Sequence, residues 1–379
     1  MIVAGIMSGT SLDGIDVALV DINDAAGTPH FLLVGSHSTP YAPALRQAIL
    51  GVSDCATHTA DLARLHTLLG HLYADAVDAA LQESGISPDK LDLIGCHGQT
   101  IYHQGSAADY LGYPVACTLQ IGEPSAMAER FGVPVVSDFR PRDMAAGGTG
   151  APLVPYLDFL VFRDAHIGRI ALNIGGIANL TAIPASANVD DVVAFDTGPG
   201  NMVMDSLVRR ATQGTETFDA HGARARKGTA NEAFITEELD RPYYAGKPPK
   251  SAGREEYGDR YVDRLLAAGA SLENALATAA LLTARSIALG IKRFVTPVMT
   301  VQELAVAGGG RHNDFLMELL ARELPHLQIG DTERFQLSVD FKEAIAFALL
   351  AHATWKGLPS NVPAATGAKH PVVLGKITR

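Results

Sequence analysis

The chain has 379 residues, 47% hydrophobic and 19% charged, a globular mixture long enough for two or more domains and unlike a disordered or fibrous protein. Its formal net charge of −11, with Arg224, Arg226 and Lys227 as the densest basic stretch, argues against a nucleic-acid partner, because phosphate neutralisation supplies most of that affinity. The start Met1-Ile2-Val3-Ala4-Gly5-Ile6 has no basic leader, and no stretch approaches the ~18 uninterrupted apolar residues of a membrane helix, so a cytoplasmic location without a membrane partner is expected.

Apolar runs at Ile2–Met7 and Ile15–Ile22 flank the polar, glycine-bearing Ser8–Gly14, which predicts two strands joined by a tight turn. A third strand is expected at Phe31–Ser36. Between Asp61 and Glu83, Leu62, Leu65, Leu68, Leu69, Leu72, Ala76 and Ala79 recur at helical spacing. Strands follow at Leu91–Cys96, Val115–Ile121 and Val133–Val136, with a short helix over Glu123–Arg130. Cys55, Cys96 and Cys117 are odd in number and match no Cys-x-x-Cys spacing; they are expected as buried thiols in a reducing compartment.

A loop rich in glycine and proline, Pro141–Pro155, marks the expected domain junction and a hinge for closure. The pattern then restarts: Arg169–Ile174, the turn Gly175-Gly176, and Ile177–Ile183 repeat the strand–glycine turn–strand opening. A strand to Phe195, a turn at Asp196–Gly200 and a helix over Asn201–Arg210 come next. Thr217–Gly258 is polar and irregular, Ser271–Lys292 a long alanine-rich helix, and Leu304–Ala307 a strand running into Gly308–Gly310 and a helix from about Asn313. Lys342–Trp355 is the last apolar helix, and loop composition follows from Gly357. Two halves with the same opening predict a duplicated α/β fold around one cleft. The expected domains are 1–145, completed by about 350–379, and 146–349.

Neither G-x-x-x-x-G-K-[ST] nor a G-x-G-x-x-G after a strand occurs, so a P-loop and a dinucleotide fold are not supported. Three glycine turns remain. Gly9-Thr10-Ser11-Leu12-Asp13-Gly14-Ile15-Asp16 exposes backbone N–H groups and hydroxyls that can cradle phosphates, and Asp13 and Asp16 can hold Mg²⁺ directly or through water; an ordinary hairpin has the same composition. Phe195-Asp196-Thr197-Gly198-Pro199-Gly200-Asn201 puts glycines and an acid at a strand end before a helix, whose N–H groups can meet an anion; Asp196 can equally cap that helix. Gly308-Gly309-Gly310 lets a flat ring lie against the backbone, or simply turns the chain. Their order (phosphate hairpin, phosphate turn with an acid, adenosine turn) is the actin/hexokinase-like, or ribonuclease H-like, layout. The 13 histidines include no His-x-x-x-His pair, and no metal other than Mg²⁺ is implied.

At these residues the sequence resembles the anhydro-N-acetylmuramic acid kinases of peptidoglycan recycling. The matching strings are Met7–Asp16, His97-Gly98-Gln99-Thr100, Asp138–Asp143, Ala145-Ala146-Gly147-Gly148, Leu172–Gly176, Phe195–Asn201, Gly308–Gly310 and Glu343–Ala348. They run through nearly the whole chain in order, with Pro141 a small local difference. The resemblance implies that Gly9 to Asp16, Gly175, Gly176, Gly198, Gly200, Asn201 and Gly308 to Gly310 meet ATP with Mg²⁺. It makes Asp196 the catalytic base and Glu343 a residue that reaches the sugar on closure, with Thr100 and Arg142 contacting the sugar. Thr100 can otherwise satisfy a turn, Arg142 can pair with Asp138 or Asp143, and Glu343 can be an N-terminal helix charge. The implied reaction opens 1,6-anhydro-N-acetylmuramic acid and phosphorylates O6, and a homodimer is implied. A kinase of the same fold for another sugar or small acid, and an actin- or chaperone-like switch ATPase, remain the alternatives.

Overall fold

The computed structural model describes residues 1–9, 12–23, 29–53, 55–269, 271–332, 335, 337–338 and 340–379. The chain opens with strands β1 (Ile2–Ser8), β2 (Gly14–Asn23) and β3 (His30–Pro40), then helices α1 (Pro43–Leu50) and α2 (Thr59–Glu83). Next come β4 (Leu91–Tyr110), β5 (Tyr113–Ile121), α3 (Pro124–Phe131), β6 (Val135–Ser137), α4 (Phe139–Ala145) and α5 (Pro155–Phe162). The middle of the chain holds β7 (Arg169–Ile174), β8 (Ile177–Ile183), β9 (Val193–Pro199), α6 (Asn201–Ala211), α7 (Glu232–Leu239), α8 (Pro242–Ala245), α9 (Arg254–Tyr257), α10 (Asp259–Gly269) and α11 (Leu272–Gly290). It continues with β10 (Glu303–Ala307), α12 (Asp314–Glu323) and β11 (Gln328–Asp331), and closes with α13 (Lys342–Trp355), α14 (Pro363–Thr366) and β12 (Lys376–Thr378).

Two compact units result: Met1–Leu160 with Asp340–Arg379, and Val161–Val339. The junction thus falls after 160 rather than after 145, and the return lies at 340 rather than near 350, because the whole of α13 packs on the first sheet. Gly5 of β1 and Gly95 of β4 make that seat. A Cβ on Gly5 would stand 1.9 Å from the Ala344 carbonyl oxygen, and one on Gly95 2.3 Å from that of Phe347. Ala4 and Ile6 alternate with Gly5 along the pleat and face the opposite way, into a core with Leu65, Leu69, Tyr73, Val77 and Ala80 of α2. Burial on both faces explains why β1 reads as an unbroken apolar run.

The first sheet is ordered β12-β6-β4-β1-β2-β3, with β5 paired to β4. β1 is antiparallel to β2 and β2 to β3, whereas β4 is parallel to β1 and to β6. The second sheet, β11-β10-β7-β8-β9, has the same relations: β7–β8 and β8–β9 antiparallel, β10 parallel to β7 and to β11. Five strands in the order 3-2-1-4-5 with this pattern of directions form the ribonuclease H-like unit, and it occurs twice. The fold is α/β of the duplicated actin/hexokinase-like kind.

In the second unit, α11 lies in the core with Ile170, Leu172, Leu180, Phe195 and Leu207 around it. It runs on through a π-helical turn, Ile291–Val295. The combined stretch of 24 residues, with an 18-residue window of mean hydropathy 1.4, is long and apolar enough to cross a membrane by composition, but 78% of that window is buried inside the protein. A core helix satisfies the same test.

Several elements depart from the expectations. β4 continues past Cys96 to Tyr110 and pairs with β5 as a largely exposed ribbon; its polar alternation carries no core signal, and Leu111 and Gly112 turn it with φ of 56° and 85°. α4 occupies the start of the expected Pro141–Pro155 loop, with Pro141 in the first turn, where a missing N–H costs no intrahelical bond. The tail ends in β12, paired with β6. Of the cysteines, only Cys96 is buried; Cys55 and Cys117 are exposed, correcting the expectation of three buried thiols. Cys55 follows α1, its thiol 3.1 Å from the Gly51 carbonyl, and Cys117 sits on the ribbon.

Candidate active site

In the first unit the β1–β2 hairpin is anchored from its neighbours. Gln99 donates through Nε2 to the Gly9 carbonyl (3.1 Å), the Tyr41 hydroxyl donates to Gln99 Oε1 (3.3 Å), and Ser8 shares a 2.7 Å bond with the Tyr73 hydroxyl. Leu12 turns the chain at φ 59°, its N–H reaching the Gly9 carbonyl at 3.2 Å. Thr10 and Ser11 lie outside the described residues. Leu12 and Ile15 are buried, and a Cβ on Gly14 would stand 2.3 Å from the Thr39 carbonyl oxygen. Gly14 and Ile15 can therefore offer a ligand only backbone. Asp13 is exposed, and Asp16 is partly buried with Oδ1 accepting from Ser38 Oγ at 2.6 Å.

Thr100 begins the ribbon, and its hydroxyl accepts from Gln120 Nε2 at 3.1 Å. With Leu12, Ile101, Tyr102 and His103 it lines a hollow of about 270 Å³. Arg142 is exposed on α4. Its two alternative partners are engaged elsewhere: Asp138 accepts from Lys376 at 2.7 Å, and buried Asp143 accepts from Gly150 N, Asn361 Nδ2 and Thr366 Oγ1, each at 2.8 Å.

Glu343 stands in the first turn of α13. The protein crowded around its carboxyl raises its pKa; Arg140 and Lys342 oppose the rise and Asp16 adds to it. Asp16, Arg140 and Glu343 therefore share one electrostatic neighbourhood. Arg140 is itself held by His97, whose Nε2 accepts at 3.1 and 2.8 Å, and by the Gly150 carbonyl at 2.8 Å. Burial, and then the Arg140 charge, push the His97 pKa well below its usual value, which keeps the ring neutral as an acceptor. Sequence reading quoted His97 and Arg140 without giving them this role.

In the second unit three glycine turns converge. The amides of Gly200, Asn201 and Met202 donate to the carbonyls of Gly175 and Gly176 at 2.7–3.2 Å, and Asn201 Nδ2 donates to the Ile174 carbonyl. These first amides of α6 are thus spent on the 175–176 turn, contrary to the expectation that they would meet an anion. The amides of Gly175 and Gly176 instead donate to nothing among the described residues.

The glycines divide in the same way. A Cβ on Gly198 would meet Ser286 Oγ at 2.9 Å, one on Gly200 the Gly175 carbonyl at 2.3 Å, one on Gly308 the Ile174 carbonyl at 2.7 Å, and one on Gly310 Ile174 Cγ2 at 2.3 Å. These four are small because the chain packs on them. Gly175, Gly176 and Gly309 meet nothing closer than 3.4 Å, and they leave room for a ligand. Beside Gly309, at the carboxyl ends of β10 and β11 where α/β folds take ligands, Val306, Arg311, His312 and Asp331 line a hollow of about 360 Å³.

Asp196, on β9, accepts the Ala252 N–H at Oδ2 (2.9 Å), while its backbone N–H donates to the Lys250 carbonyl (3.0 Å) and its carbonyl accepts from the Tyr243 hydroxyl (2.7 Å). Burial pushes its pKa up to about 6; the Ala252 N–H opposes this, Glu256 adds to it and Lys250 opposes it. A carboxylate poised there can take a proton at neutral pH. Its supports come from the stretch read as irregular. Two tyrosines, three prolines and two lysines within residues 242–250 were the available signal there.

A sequence model described as anhydro-N-acetylmuramic acid kinase matches residues 1–379. The chain belongs to this family. The anhydro-N-acetylmuramic acid kinase of Caldanaerobacter subterraneus subsp. tengcongensis is 43% identical over 382 residues, covering 100% of this chain and 96% of its own. That of Salinibacter ruber is 43% identical over 381 residues (99% and 96%), and that of Bacillus cereus strain AH187 42% identical over 383 (100% and 99%). Among solved structures, the activator of the 2-hydroxyisocaproyl-CoA dehydratase from Clostridium difficile aligns over 94% of this chain and 96% of its own at a TM-score of 0.42 and 12% identity. As a member of a kinase family, the chain is an enzyme that uses ATP.

Proposed function

We propose that this kinase opens 1,6-anhydro-N-acetylmuramic acid with water and transfers the γ-phosphoryl group of ATP to O6, giving N-acetylmuramic acid 6-phosphate and ADP in the cytoplasmic recycling of peptidoglycan. The observation that carries the reading is Asp196, with one carboxylate oxygen tied to Ala252 N–H and a pKa of about 6. In an ordinary sugar kinase such an Asp accepts the proton of the attacking hydroxyl. Here O6 is an ether oxygen with no proton to lose, so the base needs another task. Asp196 takes a proton from water as that oxygen bonds to C1 from the face opposite the bridge. The C1–O6 bond breaks, O6 bonds to the γ-phosphorus, and the bond from that phosphorus to ADP breaks. This is the geometry of inverting glycoside hydrolysis, with phosphorus in place of the general acid.

Gly175, Gly176 and Gly309 offer ATP open backbone, and the Gly9–Asp16 hairpin offers its phosphates a further cradle. Asp13 and Asp16 suit Mg²⁺, which takes one or two carboxylates and keeps several waters; when bound it would neutralise charge on the transferring phosphoryl. Arg142, with a guanidinium uncommitted among the described residues, suits the lactyl carboxylate of the sugar, and Thr100 a sugar hydroxyl. Glu343, its proton affinity raised, suits a hydrogen bond to the sugar. A homodimer is the expected assembly.

The deciding experiment measures ADP release with Mg-ATP and either the anhydro sugar or ring-opened N-acetylmuramic acid, in water enriched in heavy oxygen. Turnover of the anhydro sugar with one heavy oxygen at C1 of the product is expected. Turnover of the ring-opened sugar alone would leave an ordinary sugar kinase, and ADP release independent of sugar would leave a switch ATPase.

A further inference from the structure

Three bonds hold Asp196, and two come from residues 250–252, between α8 and α9. What fastens that segment is Lys250. Its ammonium donates to the Tyr243 carbonyl at 3.1 Å and lies 4.8 Å from the ring centroids of Tyr243 and Phe294 and 5.6 Å from that of Phe195. Phe195 immediately precedes Asp196, and Tyr243 is the residue whose hydroxyl reaches the Asp196 carbonyl. The ring faces and the Asp196 backbone are thus parts of one assembly with a cation at its centre. A half-buried ammonium costs hydration that ring faces only partly replace, so its placement calls for a compensating role.

We propose that Lys250 is a positioning residue for Asp196: its ammonium, caged by Phe195, Tyr243 and Phe294, clamps residues 250–252 onto β9. The Ala252 N–H then fixes Oδ2 and leaves Oδ1 to take the proton of the reacting water. The inference rests on Asp196 being the base. The clamp acts twice, by geometry through the backbone of 250–252 and by charge across the short path to the carboxylate. The other groups facing this pair are Tyr243 from α8, Glu256 from α9 and Arg293 from the turn after α11. Glu256 raises the Asp196 pKa and Lys250 lowers it. Burial, then Arg293, lower the Lys250 pKa to about 8, against Asp196, which raises it.

The test uses the full-length enzyme with Mg-ATP and the anhydro sugar, comparing Lys250→Met, Lys250→Arg and Asp196→Asn across pH. Lys250→Met is expected to lower kcat on the order of 10- to 100-fold, the cost of a misplaced catalytic group. KM for ATP should stay within about twofold, since only the base is displaced and nucleotide binding is not. Loss of the cation also moves the acidic limb of kcat to higher pH. Lys250→Arg should recover most of the lost kcat and abolish the fall in rate above about pH 8, because a guanidinium does not deprotonate there. Parental kcat and an unmoved acidic limb in Lys250→Met would overturn the proposal. So would an unchanged alkaline limb in Lys250→Arg, a measurement that holds even if the methionine variant fails to fold. If Asp196→Asn itself turns over, the base assignment fails; if it is dead while Lys250→Met behaves as the parent, only the clamp fails.

Discussion

The Asp196 carboxylate sits between opposing influences. Burial and Glu256 favour its neutral form, whereas the Ala252 N–H and Lys250 favour the charged one, and the balance settles at about 6. Below that pH the group is protonated and cannot accept a proton, so kcat should fall as pH drops through about 6 and hold level from there to about 8, where Lys250 begins to lose its charge, measured at saturating ATP and sugar. Asp196→Asn should remove turnover at every pH while isothermal titration still registers ATP. Arg142 presents the opposite case: with no bond to lose among the described residues, Arg142→Ala should leave the melting temperature unchanged. A charge-assisted hydrogen bond contributes about 1.5–3 kcal/mol, so its loss should raise KM for the sugar on the order of 10- to 100-fold without touching KM for ATP. The chemistry of Asp196 and Arg142 was legible in the sequence because both sit in short, distinctive strings. The supports of Asp196 were not. Tyr243, Lys250 and Ala252 act from 47 to 56 residues away, and two of those bonds use backbone atoms, which leave no trace in residue type.

Among the elements, α13 shows how a strand glycine can serve a site it never touches. The helix carries Glu343 at its start, and its height above the sheet is set by the bare backbones of Gly5 and Gly95. Gly95→Ala would place a methyl 2.3 Å from the Phe347 carbonyl oxygen, closer than contact allows, so the helix must lift or tilt. Overpacking of this kind costs about 1–3 kcal/mol, to be read as a lower midpoint in urea with an unchanged slope. The same variant should lose kcat beyond its loss of folded protein, because Glu343 moves with the helix. An alanine at Gly85, where no atom lies within 4 Å of the added Cβ but φ is 65°, is the control for backbone strain without displacement of α13. Helices α2, α3, α6, α11, α12 and α13 and the central strands were readable from apolar runs and 3.6-residue periodicity, since each has a face to bury, whereas α7 lay inside the stretch read as irregular and α5 and α10 were not read. The ribbon of β4 and β5 was read short because it buries almost nothing along its outer length, and α1 and β11 were missed because eight and four residues hold too few periods to stand out.

The two units differ in how the chain closes them. Residues 161–339 form one uninterrupted stretch with its own five-stranded sheet, its own core around α11 and its own turns. The first unit is split, and it needs residues 340–379 three times over: α13 covers one face of the sheet, β12 pairs with β6, and Asn361 with Thr366 supply two of the three hydrogen bonds to buried Asp143. Without the return segment, one face of β1 and β4 lies bare and a buried carboxylate keeps only the Gly150 N–H. Each unsatisfied partner of such a group costs about 1–3 kcal/mol, against a total stability of about 5–15 kcal/mol for a domain. A fragment of residues 161–339 should therefore unfold cooperatively in urea, whereas residues 1–160 should show no cooperative transition until a peptide of residues 340–379 is added. Cooperative unfolding of 1–160 alone would mean that α2 and the sheet suffice, and Glu343 would then sit on a helix the first unit can do without. Recovery on adding the peptide would tie the folding of the first unit to the segment that brings Glu343 to it.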